Sequence, residues 1–115
     1  MHSAIAYKIL TAEQMRALEE DRFAGAPIDV ADGYIHLSTA DQVAGTLDRH
    51  FAGADELYLA AVDLDRAGKA VRWEPSRDGA LFPHLYGRLT GALVLAAEPL
   101  RRDEFGAPIL PEPRL

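Results

Sequence analysis

Apolar positions change their period several times along this chain, and each change marks a predicted element. Tyr7-Lys8-Ile9-Leu10 reads as a short strand, and Thr11-Ala12-Glu13-Gln14 after it has the form of a capping box, Thr11 accepting from the Gln14 amide. Ala12, Met15 and Leu18 keep helical spacing against Glu13, Arg16, Glu19 and Glu20, which predicts a helix from Thr11 to about Phe23. Asp29 to Gly33 has turn composition. It leads into the alternating run Tyr34-Ile35-His36-Leu37-Ser38, a predicted strand with Ile35 and Leu37 on one face and Tyr34, His36 and Ser38 on the other.

Ser38 or Thr39 can cap a second helix, with Gln42 three residues after Thr39 and Val43, Leu47 and Phe51 recurring at four-residue spacing. Leu57 to Val62 is apolar on both faces, as a central strand covered on both sides must be. Asp63 to Gly68 reads as a turn, Ala70 to Glu74 as a short strand, Pro75 to Gly79 as a loop, Phe82 to Gly87 as an aromatic loop, and Leu89 to Ala97 as another buried strand. From Asp103 onward Pro108, Pro111 and Pro113 predict an extended surface tail that neither forms a helix nor donates regularly to a sheet. The order of elements is that of an α+β fold. Its core is expected over about residues 5–99.

At 115 residues the chain has the length of a single domain, 1–115. A hydrophobic share of 49% with 26% charged residues is globular, and the longest apolar runs are far too short to span a bilayer. With no basic and apolar leader at the N-terminus, a cytoplasmic location and no membrane partner are expected. The absence of cysteine excludes disulfides, thiolate nucleophiles and Cys-based metal sites. A net charge of -6, with the two lysines far apart, argues against duplex nucleic acid as a partner. One or two arginines still suffice to clamp a nucleotide phosphate, and Arg72, Arg77 and Arg88 lie close to the polar motifs.

Three short runs carry the chemistry. In Gly33–Thr39, His36 either faces a cleft or is a satisfied core histidine, and Ser38 either serves a ligand or caps the helix that follows. Trp73-Glu74-Pro75 offers a carboxylate beside an aromatic body, able to act as acid, base or partner of a sugar hydroxyl, or merely to pair with Arg72 two residues earlier. In Phe82-Pro83-His84-Leu85-Tyr86-Gly87, His84 and Tyr86 line a ligand or satisfy local backbone groups. His36, His84 and Glu74 lack the i, i+4 spacing of a helical zinc motif, so no metal is expected.

These runs, with Tyr7-Lys8-Ile9-Leu10, resemble the bacterial domain-of-unknown-function family numbered 952, the resemblance extending roughly from Tyr7 to Pro99. That family looks related in fold to the ADP-ribosyltransferases. The resemblance implies two small, split β-sheets with two N-terminal helices and a cleft that takes NAD as cofactor or substrate. His36-Leu37-Ser38 is similar to the superfamily's His-x-Ser/Thr strand motif, with leucine where glycine is common. By that resemblance His36 would hold a ribose hydroxyl or phosphate, Ser38 the carboxamide, Tyr86 or His84 the nicotinamide ring, and Glu74 the developing sugar cation, with Tyr34 and Arg72 completing the nucleotide site. Three functions are open on these grounds. They are an NAD-binding transferase or glycohydrolase, a non-catalytic module binding a small ligand or a protein, and hydrolysis or phosphotransfer using His36, His84 and an arginine.

Overall fold

The computed structural model describes residues 4–76 and 79–112, so Arg77 lies outside the described residues. Among the described residues eight strands and four α-helices follow one another: β1 (Ile5–Thr11), α1 (Ala12–Glu19), α2 (Pro27–Asp32), β2 (Ile35–His36), α3 (Val43–His50), β3 (Leu57–Asp63), α4 (Leu64–Ala67), β4 (Val71–Pro75), β5 (Leu81–Leu85), β6 (Val94–Pro99), β7 (Arg101–Arg102) and β8 (Pro108–Ile109). The protein is therefore mixed α+β. Strands β1-β3-β6 form one antiparallel sheet, β2-β5-β4 a second and β7-β8 a small ribbon. The two larger sheets meet at a bridge between Tyr7 and Ser38, whose backbone amides and carbonyls exchange bonds of 2.7 and 2.9 Å.

Strand β3, apolar from Leu57 to Val62, lies in the middle of its sheet, and both its faces are covered. On one side Ala60 and Val62 join Ala6, Leu10, Leu18, Ile35, Leu37 and Leu85; on the other Leu59 and Ala61 join Tyr7, Ile9, Val43 and Leu47 of α3. The central sheet is thus sandwiched between α3 and the layer made by α1 and the second sheet.

Local chemistry explains where elements depart from expectation. The capping box of α1 forms as read, Gln14 N–H donating to Thr11 Oγ1 and Thr11 N–H to Gln14 Oε1, but the helix stops at Glu19 because Asp21 turns to a left-handed φ of 57°. Residues 29–33 are not a turn. Pro27 is fixed for the first helical position, the Asp29 carboxylate accepts the Ala26 N–H at 2.8 Å, and Gly33 closes α2 at φ 86°. Three helices, not two, therefore precede β3. Likewise Asp63 caps the one-turn helix α4 through the Arg66 N–H where a turn was expected.

Phe82–Gly87 is no loop either: residues through Leu85 form β5, the central strand of the second sheet, with Pro83 and Leu85 buried on one face. The strand at 34–38 is shorter than expected, ending at His36, and that at 89–97 begins only at Val94 after a 3₁₀ turn. The proline-bearing tail is not a bare surface segment. Pro108 pairs with Arg102, Leu110 packs on the α3 side of the core, and Pro111 is fully buried.

Candidate functional site

Side chains two apart on a strand share a face, and the register of the second sheet aligns three such pairs. His36 of β2 lies opposite His84 of β5, which lies opposite Arg72 of β4. Tyr34, Tyr86 and Glu74 extend the same face. Its rings are in mutual contact: Tyr34 stacks on His84 with centroids 4.1 Å apart, and lies 4.7 Å from His36 and 5.1 Å from Tyr86. The Arg72 guanidinium sits 4.6 Å from the Tyr86 ring centre.

Glu74 ties this face together. Its Oε1 accepts from His84 Nδ1 and from the Tyr86 hydroxyl, each at 2.8 Å. The bonds from His84 and then Tyr86 hold the Glu74 carboxyl below its ordinary range, against a smaller desolvation effect, and the bond to Glu74 pushes the Tyr86 phenol up. An ionised Glu74 can only accept, so His84 donates from Nδ1, which leaves Nε2 as the acceptor whenever the ring is neutral. Nε2 has no partner among the described residues. His84 itself is buried, its side chain 5% exposed.

His36 belongs to a second network that the sequence did not reveal. Its Nδ1 lies 2.7 Å from Asp29 Oδ1 and its Nε2 3.0 Å from Asp32 Oδ2, so both ring nitrogens face carboxylates from α2. Asp29 also binds the Lys8 ammonium at 2.9 Å and accepts the His36 backbone N–H, while Lys8 donates to the His36 carbonyl. Lys8 and Asp29 are almost wholly buried, with side chains 6% and 1% exposed. Burial pushes the Asp29 carboxyl up, but the His36 bond and the charge and bonds of Lys8 outweigh it and bring Asp29 down to about 2. Burial also lowers Lys8, against the charge of Asp29. The signals in the sequence were Pro27, Asp29 and Gly33 at helix-start and helix-end spacing, and one lysine inside the apolar run of β1.

A cleft of about 670 Å³ opens at the seam of the two sheets. Strand β1 and residues 36–38 form its floor, α3 one wall, the starts of α1 and α2 another, and Phe82 and His84 the side toward β5. His36, Ser38 and His84 all line it; Tyr34, Arg72, Glu74 and Tyr86 stand behind His84 and do not. Ser38 is not a helix cap. Its Oγ lies 2.9 Å from Thr46 Oγ1, and Thr46 in turn donates to the Gln42 carbonyl, so Ser38 donates to Thr46 and keeps its lone pairs as acceptors. The residue that opens the helical run is Thr39, its N–H donating to Gln42 Oε1.

Gly45, on the cleft wall, is the one glycine inside an α-helix among the described residues. A glycine there costs about 0.5–1 kcal/mol relative to alanine. No positive φ demands it, and a Cβ would meet nothing within 4 Å. Sequence reading missed this cleft because its lining comes from segments far apart in the chain, β1 with the start of α1, the start of α2, residues 36–38, α3 and β5. Among the described residues no three His, Asp or Glu side chains gather as a metal site, and no helix is long and apolar enough to cross a membrane.

The chain is similar to two solved structures of protein CC0527 from Caulobacter crescentus. The crystal structure is 39% identical, with 91% of this chain and 93% of that chain covered and a TM-score of 0.81. The solution NMR structure is 38% identical, with 92% of each chain covered and a TM-score of 0.77. No curated protein matches. Residues 9–97 match the family described as Protein of unknown function (DUF952), and the chain belongs to that family.

Proposed function

We propose that the protein binds a nucleotide of the NAD or ADP-ribose class in the cleft at the seam of its sheets, using split sheets in an ADP-ribosyltransferase-like manner. The observation that carries this is the Glu74–His84 pair, which fixes a buried imidazole on the cleft wall with Nε2 as an acceptor. A volume of about 670 Å³ falls within the range of about 300–1,000 Å³ typical of small-molecule sites. Its lining suits such a ligand: apolar Ile9, Ile28, Phe51 and Phe82 for rings, and the acceptors His84 Nε2 and Ser38 Oγ for ribose hydroxyl and amide donors.

With NAD in place, the reaction assisted is cleavage between ribose and nicotinamide. Water or an acceptor hydroxyl gives its proton to His84 Nε2 as its oxygen bonds the anomeric carbon, and the electron pair of the broken bond leaves with nicotinamide. Glu74 acts through His84 as a positioning residue, and His36, with both nitrogens engaged by Asp29 and Asp32, positions α2 at the cleft. That engagement, with Glu74 lying outside the cleft, favours a second reading, a binding module without turnover.

Calorimetric titration with NAD and ADP-ribose, with nicotinamide release followed in parallel, separates these. Saturable binding weakened at least tenfold in His84→Ala supports the site, and release lost in that variant assigns the reaction. Binding with no release assigns the module. No binding of either nucleotide at millimolar concentration overturns both.

A further inference from the structure

Gln42, Gly45, Thr46 and Arg49 fall at i, i+3, i+4 and i+7, one face of a helix, and all four line the cleft, while Val43 and Leu47 bury the opposite face in the core. The long polar side chains of Gln42 and Arg49 therefore flank a gap at Gly45 where bare backbone forms the wall. Nothing in the fold requires that gap: the backbone there is ordinary helix, and a Cβ would stand in open space. Gly33, by contrast, serves a left-handed turn at φ 86°. Gln42 is also fixed, its Nε2 donating to the Leu81 carbonyl at 2.8 Å, so the gap has a rigid edge on the side of β5.

We infer that Gly45 is a specificity-determining residue of the cleft, left without a side chain so that a flat ring of the ligand lies against the backbone of α3. The inference rests on the nucleotide reading for the identity of the ring but not for its shape. A planar heteroaromatic group fits a wall of bare backbone beside Ser38 and Thr46. A branched or purely aliphatic ligand would leave the gap unfilled and gain nothing from the glycine. Helix stability is thereby given up for ligand contact, a trade seen where function and stability compete.

Gly45→Ala and Gly45→Leu test this with two readouts, the melting temperature and the binding of two probes, ADP-ribose and 8-anilinonaphthalene-1-sulfonate, an anionic dye whose naphthalene is a flat ring. Both variants are expected to fold, Gly45→Ala melting a few degrees above the parent. Gly45→Leu is expected to bind each probe at least tenfold more weakly, with Gly45→Ala between. Dye binding that is lost in Gly45→Leu while ADP-ribose fails to bind the parent supports the wall and refutes the nucleotide. Unchanged binding of both probes in a folded Gly45→Leu overturns the inference and leaves the nucleotide reading standing. A parent that binds neither probe, or a Gly45→Ala that melts lower, also overturns it.

Discussion

Oε1 of Glu74 stands 2.8 Å from Nδ1 of His84 and accepts the Tyr86 hydroxyl at the same distance. One carboxylate oxygen thus sets the tautomer of a buried imidazole and anchors the neighbouring phenol, from a strand that does not itself reach the cleft. The folded pKa of Glu74 is depressed, so this arrangement is complete above the ordinary carboxylate range and is lost only as pH falls through the lowered value. The Glu74 side-chain carboxyl carbon, followed by NMR from pH 7 downward, is expected to titrate below the ordinary glutamate pKa of about 4.3. A midpoint at or above that value contradicts it.

The Tyr86 phenol reports the same bond from its other side. Its pKa is raised first by the bond to Glu74. In Glu74→Gln the ultraviolet titration of Tyr86 is expected to move down toward the ordinary tyrosine value of about 10. No movement denies the bond.

Asp29 carries a larger stability effect because its carboxylate is buried and serves both Lys8 and His36. A depressed pKa contributes stability that is present above the unfolded value and lost as pH falls through the folded one. The window for Asp29 is therefore from an unfolded value of about 3.9 down to about 2. About 2 kcal/mol of unfolding free energy is expected to disappear across it. Asp29→Ala, which leaves the Lys8 ammonium buried without its partner, is expected to cost about 3–5 kcal/mol in denaturant unfolding. A cost under about 1 kcal/mol, on the order of an exposed pair, would contradict the burial of this network.

Gly33 closes α2 in a left-handed conformation with open space where a Cβ would stand. Gly33→Ala therefore meets no clash, only the conformational cost of about 1–2 kcal/mol. A stabilised variant in chemical unfolding would show that α2 does not end there.

Deleting residues from Arg101 onward removes Leu110 from the α3 side of the core and the buried Pro111. A loss of about 2 kcal/mol or more is expected from the apolar surface uncovered. An unchanged unfolding midpoint would restore the tail to a surface segment.

What the sequence displayed of the site follows from strand periodicity. Tyr34 with His36, His84 with Tyr86 and Arg72 with Glu74 are each two apart, so any strand assignment puts each pair on one face, and the sheet then brings the three pairs together. Phe82 to Leu85 looked like a loop because proline and aromatic residues crowd it; as a strand it alternates Phe82 and His84 against buried Pro83 and Leu85. The helix at Pro27–Asp32 is too short for periodicity to show, leaving only its end signals, and so Asp29 and its bonds to Lys8 and His36 stayed hidden. The sequence left the cap open between Ser38 and Thr39 because the two neighbours offer the same chemistry, and only the bond from the Thr39 N–H to Gln42 decides for Thr39. No local pattern could show a cleft built from β1, α1, α2, α3 and β5 at once, nor that Gly45 stands on its wall.

An amide NMR titration of the protein with ADP-ribose reads nucleotide binding in the cleft residue by residue. Saturating shifts are expected at Leu37, Ser38, Gly45, Thr46, Phe82 and His84, all on the cleft wall, and are expected to be lost in His84→Ala while the rest of the spectrum is kept. Shifts confined to other surfaces, or none at millimolar ADP-ribose, would contradict it.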